Sequence, residues 1–244
     1  MTAPALQISH WAAWAPGLST HADWQAWLQA PRPLDATEAA PPLPEVPAMA
    51  RRRIDPLGRA ALQVAYWAQQ DLTPEQVAAM PLVFASRWGE LARSLALLRD
   101  LAATQPLSPT AFSHSVHNAI GALYSIQRGV RANCSAVAAG AYSAEAGWTE
   151  ALGLIATGTE EVLLVVFDAP LPPPYAGSGL DAPWMWPHAY ALRLRAAAGP
   201  GLRLHAAAEV SSPASNLPAS LAALRFCICE HTELRQGPWQ WSRA

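Results

Sequence analysis

Two cysteines and a histidine near the carboxyl end of the sequence have a spacing that could hold a metal ion. Cys227, Cys229 and His231 occupy alternate positions, and in a strand alternate side chains share one face, within reach of a single Zn²⁺. A structural zinc site takes a second pair of ligands at a loop spacing, and the sequence offers no such pair. Since free cysteine is among the most buried residue types, the pattern favours an apolar strand face and no bound metal.

Two histidines form the second candidate site. His114 and His117 lie three residues apart in the segment 113–129, whose apolar spacing predicts a helix. Such a pair could share a ligand or act as acid and base. A free-standing acyltransferase or hydrolase could use it with Ser143 or a cysteine as nucleophile. No carboxylate lies near either histidine in the sequence to orient its ring, which favours a polar helix start with one ring packed at an interface.

Three consecutive arginines, Arg51 to Arg53, precede another predicted helix. They could contact a phosphate or an acidic carrier protein, although such a run is more often a solvated or ion-paired turn. Glycine-rich nucleotide motifs and a Gly-x-Ser-x-Gly turn are absent from the sequence. The sequence also contains no lysine, which excludes a Schiff-base mechanism and a lysine-bearing phosphate loop. We therefore predict that the protein binds no cofactor.

Composition excludes several further classes. Of the 244 residues, 52% are hydrophobic and 14% are charged, against a usual charged share of ~25%. The net charge is −2 and the arginines are not concentrated on one segment, which argues against nucleic acid or an anionic membrane as partner. No apolar run long enough to span a membrane, no signal-peptide pattern and three cysteines favour a cytoplasmic protein.

Strand and helix patterns alternate along the chain and predict a single α/β domain over residues 1–244 with a mostly parallel sheet closed by antiparallel strands. A proline-rich stretch at about 31–50 predicts a loop, and the tail at about 211–244 has no clear pattern. Strands are predicted at 5–14, 81–85, 133–138, 161–167, 189–195 and 202–209. Helices are predicted after Ser19-Thr20, from about Arg52, and at 89–103, 113–129 and 141–157.

The order of several segments resembles that of the β-ketoacyl synthases over roughly residues 5–210. Residues 8–17, followed by Trp24 and Trp27, are similar to the opening strand, turn and helix of that family. The segment 50–62 resembles its Arg-Arg-Met-Asp-Arg helix start, and 108–131 resembles its Ser-Pro…Asn…Ile-x-x-Gly-Leu-Arg stretch. The resemblance implies a thiolase-like half, a three-layer α/β/α fold with one mixed five-stranded sheet.

The sequence departs from the family at the residues that perform the condensation. The position of the nucleophilic cysteine is occupied by Ala141, followed by Tyr142, and Cys134 lies seven residues too early. The family's two histidines and its Gly-Phe-Gly turn belong to a second half that this sequence does not contain. Without nucleophile, base or oxyanion donors, we expect no condensation by this chain alone.

A synthase-like half that lacks the nucleophilic cysteine resembles a chain-length factor. Such a protein pairs with a catalytic ketosynthase as a heterodimer and bounds its acyl tunnel. The resemblance further implies an aryl polyene or xanthomonadin-type pigment pathway and transient contact with an acyl carrier protein. A purely structural stabiliser of the partner is the alternative. The implied tunnel residues are Ala111, Phe112, Ser115, Val116 and Ile120. The implied interface residues are His117, Asn118, Asn133, Cys134, Ser135, Ala136, Val137 and Ala138.

Overall fold

The centre of the protein is one mixed β-sheet. A computed structural model of the chain describes residues 4–35, 40–211 and 215–243, and the sheet in this part has seven strands in the order β3-β2-β4-β5-β1-β6-β7. The strands are β1 (Leu6–Trp14), β2 (Leu82–Ala85), β3 (Cys134–Val137), β4 (Val162–Asp168), β5 (His188–Ala196), β6 (Leu202–Ser211) and β7 (Glu233–Arg243). The helices are α1 (His21–Gln29), α2 (Ala48–Arg51), α3 (Pro56–Ala68), α4 (Pro74–Ala79), α5 (Leu91–Ala102), α6 (Pro109–Ser113), α7 (Ala119–Arg128), α8 (Ser143–Ala156) and α9 (Ala219–Ile228).

Helices cover both faces of the sheet and give the predicted three-layer arrangement. Alternate side chains of β4 explain why its sequence is apolar throughout. Leu164 and Val166 belong to the core under α1, α8 and α9, whereas Val165 and Phe167 belong to the core under α3 and α7. Successive side chains of a strand point to opposite faces, so a strand covered on both sides has no polar face.

The direction and number of strands differ from the prediction. Strands β3, β2 and β4 are parallel. The other pairings between the named strands are antiparallel, so a mostly parallel sheet was the wrong expectation. In the part of the chain that the structure describes, the helical crossovers that parallel pairing requires lie only in the segment from β2 to β4. The implied count of five strands was also wrong. The six strands predicted from local patterns all form, and β7 adds a seventh from the tail, where Gly237 and Pro238 obscure the strand pattern.

Several local signals act as predicted. Thr20 caps α1 through its Oγ1, which accepts the Asp23 N–H at 3.2 Å. Gly129 ends α7 with a φ of 63°, a conformation that glycine adopts without strain. The proline-rich stretch is a loop where it is described, with residues 36–39 outside the described part, and it ends in the short helix α2.

Two local predictions are corrected. The helix expected over 113–129 is broken: α6 ends at Ser113 and α7 begins only at Ala119, so His114 and His117 do not share a helix face. Val116, expected to face inward, is 41% exposed in the intervening turn. The strand expected for the cysteine pattern does not form either, because Cys227 lies in α9 and Cys229 directly follows it.

Candidate functional site

A cavity of about 260 Å³ lies at one end of the parallel strands, and several polar side chains line it. It lies beyond the carboxyl ends of β2 and β4, which is where α/β sheets commonly place their ligand sites. Polar lining is provided by Arg87, Tyr142, Asp168, Asp181, Ser220 and Gln236. Apolar lining is provided by Ala141, Leu180, Met185, Leu217, Ala219 and Leu234.

Ala141, at the position that resembles the family's nucleophile, lies at the wall of this cavity just before α8. Its methyl group has no lone pair and performs no covalent chemistry. The neighbouring Tyr142 also lines the cavity, and its ring lies over Gly237 of β7. Gly237 has a φ of 55°, and a Cβ at this position would overlap the tyrosine ring. Glycine alone adopts this positive φ without strain and also leaves room for the tyrosine ring.

Asp168, the last residue of β4, is a buried carboxyl at the junction of this cavity with a second, apolar one of about 240 Å³. The Ser86 hydroxyl donates to its Oδ1 at 3.1 Å and the Arg87 N–H donates to the same atom at 2.8 Å. Burial raises the pKa of Asp168 to about 7. These bonds fix the turn after β2, so the first role of Asp168 is to position the cavity wall.

Glu145 is a second buried carboxyl, in the first turn of α8. Its Oε1 accepts hydrogen bonds from the Gln236 amide and, at 3.3 Å, from the Trp241 indole N–H. Burial raises the pKa of Glu145 to about 7, and its Oε2 has no partner among the described residues. Both donors belong to β7, so this carboxyl ties the last strand to the helix that follows Ala141.

The structure does not assemble the predicted nucleophile and histidines. The Ser143 hydroxyl donates to the Gly140 carbonyl at 2.8 Å and accepts the Ala139 N–H at 3.0 Å. The His117 Nε2 donates to the Ser86 carbonyl at 2.9 Å, and His114 lies beside Arg52 and Arg53 in an open groove. In the described part of the chain no hydrogen bond joins Ser143 to either histidine. A hydrolase built on Ser143 is therefore not supported.

The cysteines do not form a metal site. Cys227 and Cys229 are buried at the end of α9, and burial raises the pKa of both thiols. The Arg243 guanidinium binds the backbone carbonyls beside these thiols and donates to that of Cys229 at 2.8 Å. Across the described ranges no group of three or more histidine, cysteine or acidic residues is arranged to hold a metal ion.

The implied interface residues fall on an open sheet edge. Strand β3 pairs with β2 on one side only and ends the sheet. Asn118, Asn133, Cys134, Ala136 and Ala138 are exposed, whereas His117, Ser135 and Val137 are half-buried. The residues implied for the interface thus share this edge or the turn before α7.

The implied tunnel residues separate into two groups. Phe112 is 63% exposed and Val116 is also exposed, whereas Ala111 and Ser115 are half-buried. Ala111 lines the open groove that Arg52, Arg53 and His114 share. Ile120 is buried in the core and packs beside Gly58 of α3. Only the first four therefore lie on a surface that a second molecule can reach.

Sequence reasoning did not single out Asp168, Glu145, His188, Ser220 or Gln236, all of which surround the cavity or support its walls. Asp168 could have been identified as the acid that ends an otherwise apolar strand. The others carried no local signal, because they come from β5, α8, α9 and β7 and meet only in the folded chain.

Comparison with known proteins identifies the fold. A model of the β-ketoacyl synthase N-terminal domain matches residues 24–242. A chain of the ketosynthase ApeO in complex with its chain length factor ApeC, from Xenorhabdus doucetiae, is 31% identical, with a TM-score of 0.82 and coverage of 98% of this chain and 99% of that one. No curated protein sequence gave a significant match.

Two more distant structures share the fold. The ishigamide ketosynthase/chain length factor is 16% identical, with a TM-score of 0.53 over 80% of this chain and 59% of that one. A type II polyketide synthase acyl-carrier protein in complex with its ketosynthase, AntDE:AntF, is represented by a chain 14% identical, with a TM-score of 0.58 over 79% of this chain and 62% of that one. The thiolase-like half fold is thereby established, and the chain belongs to the β-ketoacyl synthase family through its N-terminal domain.

Proposed function

We propose that this protein is a chain-length-factor subunit, inactive in condensation by itself, which pairs with a catalytic ketosynthase in an aryl polyene-type pigment pathway in the cytoplasm. Two features of the chain support the proposal. By the family resemblance Ala141 takes the position of the nucleophile, and it lies at the cavity wall just before α8. Among the described residues, β3 has no partner strand on its outer side. The open edge is the observation that carries the proposal.

The hydrogen bonds of β3 define how a partner would pair with it. The Asn133 carbonyl accepts the Leu82 N–H at 2.8 Å, and the Val137 carbonyl accepts the Ser86 N–H at 3.1 Å. Because main-chain groups alternate along a strand, Cys134 and Ala136 direct their N–H and C=O groups away from β2. These groups are a template for a strand from another chain.

Apolar side chains on the surface support an extensive interface. Leu98 and Leu101 of α5, Phe112 of α6, Val116 of the turn after α6, and Ile126 of α7 are all exposed. Monomeric proteins rarely leave many large apolar side chains in water on neighbouring elements, and obligate interfaces are large and apolar. We expect the partner ketosynthase to cover part of this surface together with β3.

The exposed segment 110–117 is the proposed contribution to the acyl tunnel. If it crosses the interface as the family resemblance implies, Ala111 presents a methyl group where a bulky side chain would shorten the partner's pocket. Arg52 and Arg53, exposed beside His114 in the adjoining groove, are placed to attract an acidic acyl carrier protein as a transient partner.

The pairing is tested by co-expression with the ketosynthase encoded nearest to this gene, followed by gel filtration. Ala136→Pro removes an outward N–H and leaves the β2 pairing intact, since edge strands tolerate proline in that orientation. We expect the wild-type pair to elute as a stable heterodimer and Ala136→Pro to prevent its formation. Ala136→Ser, which keeps the N–H, is the matched control. An intact heterodimer with Ala136→Pro would refute pairing through this edge.

Inactivity in condensation is tested separately. The isolated chain should form no condensation product and no thioester-derived adduct on Cys134, Cys227 or Cys229, as intact mass measurements would show. Ala141→Cys should not create condensing activity, because no histidine is among the described residues that line the cavity at Ala141. A condensation product from the chain alone would overturn the proposal.

A further inference from the structure

A serine and a histidine meet at the cavity wall, outside the positions that the family resemblance assigns. Ser220, the second residue of α9, lines the cavity that also contains Ala141 and keeps 4% of its surface exposed. Its Oγ lies 2.9 Å from the Nε2 of His188, the first residue of β5. The histidine is completely buried behind it.

The tautomer of His188 follows from its second contact. Its Nδ1 lies 2.9 Å from the Trp186 carbonyl oxygen, and because a carbonyl can only accept, Nδ1 carries the proton. The Nε2 therefore presents a lone pair, and the Ser220 hydroxyl donates to it. Burial lowers the pKa of His188 to about 4, so the ring is neutral at pH 7. This is the arrangement of nucleophile, base and orienting acceptor found in acyl-transfer sites.

The backbone around Ser220 is held in place by other strands. The Tyr190 hydroxyl donates to the Ser220 carbonyl at 3.0 Å, and the Gln236 amide donates to the Ala219 carbonyl at 3.1 Å. The N–H groups of Leu221 and Ala222 both donate to the Pro218 carbonyl. Those of Ala219 and Ser220 have no acceptor among the described residues. They lie at the amino end of a ten-residue helix, where backbone N–H groups can stabilise an oxyanion.

We propose that Ser220 and His188 form an esterase site for short, apolar acyl esters. The Ser220 Oγ bonds to the acyl carbon while its proton passes to the His188 Nε2 and then to the departing alcohol. Water next attacks the acyl-serine ester and gives its proton through His188 to Ser220, which releases the carboxylic acid. The apolar walls contributed by Leu180, Met185, Leu217 and Leu234 would hold the acyl chain.

Turnover at this site should be slow. A carbonyl dipole, rather than a carboxylate, lies behind His188, so the imidazolium formed during the reaction gains little stabilisation. Covalent capture is consequently a sharper measurement than steady-state hydrolysis. A fluorophosphonate probe suits it, because the serine oxygen bonds to phosphorus and displaces fluoride with the same proton transfer to histidine.

The test uses the full chain, alone or in its purified complex, with a fluorophosphonate probe and intact mass measurement of each subunit. We expect one adduct on this chain, mapped by peptide analysis to Ser220 and absent from Ser220→Ala. His188→Gln should slow labelling by about 100-fold or more. Ser215→Ala, which removes another serine of the same cavity without a histidine contact, should label at the wild-type rate.

The outcomes separate a reactive serine from a structural hydrogen bond. No adduct, an adduct on another residue, or labelling unchanged by Ser220→Ala would overturn the proposal. If Ser220→Ala fails to fold, the proposal is tested by peptide mapping of the adduct on the wild-type chain and by the labelling rate of His188→Gln. Heterodimer formation is measured independently by gel filtration, so either proposal can fail without the other.

Discussion

The two edges of the sheet differ in how they are finished. Strand β3 is four residues long and contains no charged residue or proline, and its outer side is open. Strand β7 is eleven residues long and carries Glu233, Arg235 and Pro238, residue types that discourage pairing with another chain. The comparison indicates that the chain protects the β7 edge by itself and leaves the β3 edge to a partner.

The two edges are also tied to the core differently. Trp241 of β7 is buried, with its ring centroid 4.9 Å from that of Trp148 in α8, and its indole N–H reaches Glu145. On β3 the side chains of Cys134 and Ala136 are exposed. We therefore expect changes at β7 to affect stability and changes at β3 to affect association.

The largest effect concerns the state of the isolated chain. We expect the wild-type chain without a partner to aggregate through β3 and to scatter light strongly at high concentration. Ala136→Arg should give a soluble monomer, because a charged edge opposes strand pairing. Static light scattering measures this. A wild-type chain that stays monomeric at high concentration would contradict the assignment of the open edge.

The next effect concerns the anchoring of β7. Trp241→Ala, made in the soluble Ala136→Arg background, should lower the free energy of unfolding by about 3–5 kcal/mol, as expected for a buried tryptophan. Trp239→Ala, two residues away and half-buried, should cost far less and serves as the control. Urea denaturation distinguishes them, and equal losses would show that β7 is not anchored through Trp241.

A third effect is the pH dependence of stability. The pKa of Glu145 is raised by burial to about 7 in the folded chain, so the folded state retains a proton that the unfolded state releases near pH 4.5. Stability should fall between about pH 4.5 and 7 by at most about 1.4 kcal/mol per pH unit from this group. Asp168, also raised to about 7, adds a fall of the same sign.

Glu145→Gln tests that dependence with little change in shape. Its amide oxygen can still accept from Gln236 and Trp241, and it cannot ionise. The free energy of unfolding of the variant should fall less between pH 4.5 and 7 than that of the wild type. At pH 7.5 the variant should therefore unfold at a higher urea concentration than the wild type. Glu150→Gln on the same helix, where the Ser135 hydroxyl donates to Glu150, is the control. An unchanged pH profile in Glu145→Gln would show that Glu145 is not the titrating group.

The smallest effect on stability accompanies a change of function at Ala111. Ala111→Phe adds bulk to an open groove and should shorten the product of the reconstituted heterodimer by several carbons without preventing its assembly. Product chain length is measured by mass spectrometry, with Ala111→Ser as the control. An unchanged product with an intact heterodimer would favour a partner that only stabilises the ketosynthase.

Individual elements were largely predictable from local sequence. The apolar run of β4, the Thr20 cap and Gly129 each fix the local backbone through short-range preferences that neighbouring residues do not alter. The turn at 114–118 was not predictable in this way. Its apolar residues keep the spacing of a helix, but the turn does not form one. The His117 ring bonds to the backbone carbonyl of Ser86, which is distant in sequence.

Motif order and residue identity were enough to predict the α/β class and the resemblance to the family, and they led to the prediction that Ala141 occupies the nucleophile position, because both can be compared along the chain without a structure. The tertiary structure alone decided that β7 completes the sheet, that Ser143 is bonded to backbone while Ser220 faces His188, and that β3 is left at the edge. Hydrogen bonds between distant segments depend on which elements pack side by side, and so does the exposure of a strand edge. The local spacing of residues does not specify that packing.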